Sequence, residues 1–284
     1  MGGVRSEVRF RRRRLLAAGA GLAVLVGGGS VVRSARPDER RAPPQAAHQQ
    51  ALPSPTAPAT TSPTPRPVIP SPASSDRFTP DEPFLLRSKV QSQLPALPNG
   101  CEVTSLSMLL SSVGQPVSKM TLAREQETDP RQPVFVGRRG NFLSISRWGD
   151  PNRGFVGNVY GAYGYGIYHA PLTRLLDRKV PGRARDLTGV KFSDVLARAR
   201  GGTPVLLWTT TTFRPTRSWV TWQGPDGPVR ATSREHAVVL VGATGRRLIV
   251  DNPLSGRREL VEPAPFIAAW KQLGRQALTV SRSA

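Results

Sequence analysis

One cysteine, Cys101, stands among 284 residues, so no intramolecular disulfide can form. The thiol is then either free and reactive or reserved for an intermolecular link. Histidine is nearly as scarce, with only His48, His169 and His236. No metal-ligand spacing can be read from so few soft donors, and neither a metal nor another cofactor is expected. Acidic residues are also few: 19 Asp and Glu face 40 Lys and Arg, a net charge of +21. The excess is spread over the N-terminal stretch and the rest of the chain alike. Such a balance suits an anionic partner, such as nucleic acid, phospholipid headgroups or an anionic wall polymer; the Arg, Ala and Pro usage of a high-GC genome produces the same bias. No internal repeat is found.

Charge is missing altogether from residues 15–32, LLAAGAGLAVLVGGGSVV, which follow the arginine run 11–14. A basic segment followed by an apolar one is an export signal. Its length is at the short end for a membrane span. No clean A-x-A cleavage site follows, so residues 1–32 can equally remain as an N-terminal membrane anchor, oriented by the arginines. The paired arginines also loosely resemble a twin-arginine signal. Residues 33–78 are rich in Pro, Ala, Ser and Thr and cannot bury a core. They read as a disordered spacer, and His48 within it is set aside. The folded domain is expected over residues 79–284.

In that domain, residues 101–113 carry apolar side chains at 103, 106, 110 and 113, which is helical spacing. Gly114, Gln115 and Pro116 stop the helix. Further helices are expected near 118–127, 171–176 and 192–199, and an irregular Gly- and Tyr-rich loop over 148–166. Compact apolar runs at 204–210, 236–243 and 248–250 read as strands. Helices followed by strands make an α+β domain.

Cys101 opens the first helix, where free N–H groups and the positive end of the dipole favour a thiolate. His236 opens a strand 135 residues later, and Asn252 lies 151 residues after the cysteine, close to the roughly 130–150 residues that separate these groups in papain-like enzymes. Residues 245–247 can turn the chain, and an antiparallel hairpin sets the start of one strand beside the end of the other. His236 would therefore neighbour Asp251 or Asn252, either of which could orient the imidazole.

The segments LPNGCEVTSLSMLL, WGDPNRGFVG, GYGIYHAPL, PVLLW, EHAVVLVGAT and DNPLSG, in that order, resemble the stand-alone bacterial relatives of the bacteriocin-processing cysteine peptidases, of the papain-like clan. The resemblance spans about residues 84–280. It implies a papain-like fold, Cys101 as nucleophile, His236 as base, and Gln93 as an oxyanion-hole side chain. The family usually has Asn-Asp-Pro where this chain has Asp251-Asn252-Pro253. An ungapped match makes Asn252 the orienting residue, and a register slip of one would give Asp251 that role.

The implied activity is that of an exported thiol hydrolase cleaving amide bonds at the cell envelope. Its substrate would be a peptide or the peptide part of peptidoglycan, with Trp148, Tyr168 and His169 lining the cleft. Its partners would be the membrane, through residues 1–32, and an anionic wall polymer, with nucleic acid not expected. Two alternatives stand: a non-catalytic, basic wall-binding module, and a peptidoglycan amidase or endopeptidase on the same fold. Glu102 and Glu235, next to the cysteine and histidine, are expected to be salt-bridged surface residues.

Overall fold

The computed structural model describes residues 82–137 and 141–281. The signal or anchor at 1–32 and the spacer at 33–78 lie outside the described residues. Among those described, no helix is long and apolar enough to cross a membrane.

The chain enters through a short strand, β1 (Phe84–Leu85), and reaches α1 (Cys101–Ser112). The first ten residues of α1 are buried on every side, as expected of a helix at the centre of a domain. Two of its serines reach across the core: Ser105 donates to the Ala237 carbonyl at 3.1 Å and Ser107 to that of Val117 at 2.6 Å. Helix α2 (Lys119–Glu125) is capped by Ser118, whose hydroxyl accepts from the Thr121 N–H.

Next come the short strands β2 (Thr128–Asp129), β3 (Val134–Phe135) and β4 (Ile145–Arg147), with a 3-10 turn at Phe142–Ser144. The stretch 148–166, expected to be irregular, contains two more: β5 (Phe155–Gly157) and β6 (Gly164–Gly166). Each is three residues long, too short for a periodic signature. Helix α3 (His169–Lys179) starts two residues before the expected 171. Then follow β7 (Ala184–Asp186), α4 (Phe192–Arg200), β8 (Val205–Thr210), β9 (Val220–Gly224), β10 (Gly227–Ala231), β11 (Glu235–Thr244), β12 (Arg247–Asn252) and β13 (Arg257–Val261). The chain closes with α5 (Pro263–Gln272) and β14 (Ala277–Val280). Helix α5 has no counterpart among the helices expected from sequence. Pro263 sits in the first turn, where its missing N–H costs nothing.

The main sheet has seven strands in the order β13-β12-β11-β8-β14-β7, with β1 against β11, and all neighbours are antiparallel. Strand β8 pairs with β11 as far as Leu240, and β1 takes over at Gly242 and Ala243. Both faces of this sheet are covered. Leu206, Trp208, Ala237 and Leu278 pack with α1 and α3, whereas Leu207, Val238, Leu240 and Ala277 pack with α4 and α5. That explains why β8 reads as an unbroken apolar run rather than an alternating one. A four-stranded sheet (β10-β9-β4-β3) and a three-stranded sheet (β2-β5-β6) build a second, aromatic core around Trp148, Tyr165 and Trp222. The architecture is α+β.

Candidate active site

Cys101 is the first residue of α1, preceded by Gly100 at the N-cap, where no side chain caps the helix. The first-turn N–H groups have no partner within the helix. Cys101, His236 and Gln93 line one cavity of about 190 Å³, together with Asn99, Tyr165, Thr232, Glu235 and Leu254.

His236 lies at the start of β11, and its Nε2 is 2.8 Å from Asn252 Oδ1. The orientation of the Asn252 amide is set from two sides: its Nδ2 donates to Glu259 Oε1 at 2.9 Å, and its Oδ1 also accepts from the Leu254 N–H at 3.0 Å. An amide oxygen only accepts, so Nε2 carries the imidazole proton and Nδ1 is left as the basic nitrogen. Burial holds His236 down at about 4, against opposing effects of the Asn252 hydrogen bond and the Glu259 charge. The imidazole is therefore neutral at pH 7 and able to accept a proton.

The hairpin register separates the two residues that the sequence left open. Strands β11 and β12 are antiparallel, with Val239 opposite Asp251. Asn252 therefore shares the face of Val238 and His236. Asp251 points to the other face, fully buried, where it accepts from Arg258 Nε at 2.7 Å and from the Ser88 hydroxyl. The hydrogen bond to His236 belongs to Asn252, and Asp251 belongs to a structural ion pair.

Gln93 is buried beside Cys101, and its Nε2 donates to the Pro98 carbonyl at 2.8 Å. Its Oε1 has no protein partner. The Gly/Tyr loop is tied to the cysteine segment by Asn99, whose amide donates to the carbonyls of Asn158 at 2.8 Å and Gly161 at 2.5 Å. Gly164 makes that approach feasible, since a Cβ there would lie 2.2 Å from Asn99 Nδ2.

Of the residues expected to line the cleft, none lines the cavity that holds Cys101. Trp148 is buried in the aromatic core, 5.4 Å from Trp222 between ring centroids. His169 and Tyr168 line a separate cavity with Trp219 and Arg230, and His169 Nδ1 is 2.6 Å from Asp186 Oδ2. Two aromatic side chains line the Cys101 cavity, Phe142 and Tyr165, and Tyr165 is joined to Tyr168 by a 2.7 Å hydroxyl–hydroxyl bond.

Glu102 and Glu235 depart most sharply from the sequence expectation. Neither is a salt-bridged surface residue. Both are buried, and neither pairs with a cation among the described residues. Glu102 Oε1 accepts from the Ile167 N–H at 2.8 Å, and Oε2 accepts from the Cys101 thiol at 3.3 Å. Glu235 Oε1 has no partner. Burial raises Glu102 to about 7 and pushes Glu235 well above the carboxylate range, with the Glu102 charge adding to the latter. Burial, then the charges of Glu102 and Glu235, push the Cys101 thiol up, against a backbone hydrogen bond from Ala237. The resting cysteine and histidine are thus both neutral. The sequence does carry a signal for Glu102: positions 102, 106 and 110 share one helix face, so this carboxyl continues an apolar stripe.

The Peptidase_C39 like family matches residues 85–278. The chain belongs to this family of C39-like peptidases, with the α+β, papain-like fold. It is 35% identical over 192 residues to the uncharacterized protein YvpB of Bacillus subtilis (strain 168), covering 68% of this chain and 73% of that one. A crystal structure described as a C39-like peptidase from Bacillus anthracis is 36% identical, with a TM-score of 0.63, and the match covers 72% of this chain and all of that one.

Proposed function

We propose that the protein is a cysteine peptidase that acts outside the cytoplasm, with Cys101 as nucleophile, His236 as general base and Asn252 as the group that orients it. One observation carries this reading: the 2.8 Å bond from His236 Nε2 to Asn252 Oδ1, which leaves Nδ1 basic in a cavity shared with the only thiol. The Cys101 thiol passes its proton to Nδ1 as sulfur attacks the amide carbon, so the charged pair forms during reaction rather than at rest. The oxyanion is held by the Cys101 N–H in the helix first turn and by the Gln93 amide. His236 then returns its proton to the leaving amine, and water hydrolyses the thioester.

The substrate is a peptide or the peptide part of peptidoglycan, and an anionic wall polymer is a candidate second partner for so basic a chain. Residues 1–32 supply the export signal or anchor on sequence grounds. The test compares wild type with Cys101→Ala on a peptide library and on purified peptidoglycan. New termini in wild type only support the reading and identify the substrate. Equal cleavage by both proteins, or none by either while the domain still binds wall polymer, rejects it. Fractionation of the intact chain tests export: recovery only from the cytoplasm overturns that part.

A further inference from the structure

The Glu102–Glu235 pair is unused by the mechanism above, although it touches the sulfur. A thiol and two carboxyl groups bring their reactive atoms within 4.8 Å of one another, with Cys101 and Glu102 buried and Glu235 at the wall of the Cys101 cavity. Space for them is built into the fold. A Cβ at Gly166 would lie 2.4 Å from Glu102 Oε1 and 3.1 Å from Glu235 Oε2. The titratable groups around the pair are Cys101 on α1, Tyr165 on β6, Tyr168 at the start of α3 and His236 beside Glu235 on β11; Asp150 acts on Tyr168 from further out. None of them is a cation at neutral pH. Two ionised carboxylates cannot persist side by side without solvent or a positive partner, so at least one keeps a proton.

Resting on the peptidase reading, we propose that Glu102 is a further catalytic residue, a proton-dependent switch on Cys101, and that Glu235 is the positioning residue that stays neutral beside it. With Glu102 protonated, its Oε2–H donates to the sulfur. As the thiol's S–H bond breaks, the proton goes to His236 Nδ1 and the electron pair on sulfur goes into the new S–C bond, while the Glu102 Oε2–H donates a hydrogen bond to the sulfur. With Glu102 ionised, Oε2 accepts the S–H bond and its charge opposes thiolate formation. The Ile167 N–H on Oε1 keeps the carboxyl in place in both forms. The unpartnered oxygen of Glu235 fits a group that is held neutral rather than one paired with a charge. The titration of Glu102 at about 7 puts the switch near neutral pH.

The test needs no substrate. The rate of Cys101 alkylation by iodoacetamide is followed by mass from pH 5 to pH 10, in wild type, Glu102→Gln and Glu235→Gln. Wild type should lose part of its rise with pH above about 7. Glu102→Gln should remove that inflection and react about tenfold faster at pH 9, a change of one unit in thiol pKa. Glu235→Gln, which imitates the neutral acid, should retain the inflection. An unchanged inflection in Glu102→Gln overturns the switch. Infrared spectroscopy keeps the proposal testable if a variant folds poorly or the thiol is inert: a buried carboxylic acid band should persist at pH 8 in wild type and vanish in Glu235→Gln. Absence of that band, or faster alkylation of wild type on adding a chelator, would mean that a cation rather than a proton neutralises the pair. Cleavage assays report separately on the peptidase reading, which can fail while these results stand.

Discussion

Asp251 and Asn252 are consecutive on β12 and serve opposite faces of the sheet. Asn252 bonds to His236, whereas Asp251 is fully buried against Arg258 and Ser88. Alanine at the two positions should therefore have different consequences. Asn252→Ala should lower kcat by about tenfold or more through loss of imidazole orientation, with little change in melting temperature. Asp251→Ala removes the carboxylate that pairs with the Arg258 guanidinium, leaving it only its Ser88 contacts, and should cost roughly 1–3 kcal/mol of stability, with near-normal kcat in the folded protein. Denaturant melts and single-substrate kinetics on both variants check this; a rate defect confined to Asp251→Ala would assign the orienting role to the carboxylate.

The two domain histidines should also separate. His236→Ala removes the proposed base and should cost at least ~100-fold in kcat/KM, about 2.7 kcal/mol. His169 lines another cavity and is partly exposed, paired with Asp186. His169→Ala should leave kcat/KM nearly unchanged and cost no more than about 1 kcal/mol of stability. A large rate loss in His169→Ala would connect its cavity to catalysis, and the path would run through the Tyr168–Tyr165 hydroxyl pair.

Much of this site is legible in the sequence because it rests on local rules. Helical spacing after Cys101 puts the thiol at a helix start, and two apolar runs joined by a short turn put His236 beside the 251–252 pair. Which of those two residues meets the imidazole depends on register, and a bulge between Leu240 and Gly242 shifts it; no composition rule predicts such a bulge. The Glu102–Glu235 contact joins residues far apart in sequence across α1 and β11, and depends on the bare backbone of Gly166 in a three-residue strand. Charged side chains are ordinarily solvated, and that expectation does not hold where the fold excludes water. Tertiary packing also explains why Trp148 and Tyr168 do not line the Cys101 cavity. Both are large and aromatic, and the second core claims the first while a separate cavity takes the other.

Stability should vary with pH in a way set by two buried groups. His236 is lowered from an ordinary 6.5 to about 4, so the unfolded chain binds its proton first and stability falls as pH drops from 6.5 to 4. Glu102 is raised from 4.5 to about 7, so the folded chain holds its proton longer and stability falls as pH rises from 4.5 to 7. The two slopes oppose each other between 4.5 and 6.5, giving a plateau with a decline on each side. Glu235, raised further, prolongs the alkaline decline. Glu102→Gln should flatten that decline and stabilise the protein at pH 8 by on the order of 2–3 kcal/mol. Urea melts from pH 4 to pH 9 measure it; an unchanged alkaline limb would mean that Glu102 is ionised at little cost.

Gly166 offers the most direct test of how tightly the carboxyl pair is built in. It lies on β6, and the atom that an added Cβ would meet at 2.4 Å is Glu102 Oε1, the oxygen already bound to the Ile167 N–H. Glu102 cannot swing away without giving up that bond, and Glu235 stands 3.1 Å from the same point. Gly166→Ala should therefore overpack the pocket and cost about 1–3 kcal/mol. The backbone itself is not the obstacle, because Gly166 is not among the positive-φ glycines. If the loss is steric, pairing Gly166→Ala with Glu102→Ala should recover much of it, since the shorter side chain vacates the space. The double-mutant cycle, read from urea midpoints, then shows a coupling of roughly 1 kcal/mol or more. Strict additivity would mean that the strand moves as a unit to admit the methyl group, and that the contact between β6 and the carboxyl pair is looser than its distances imply.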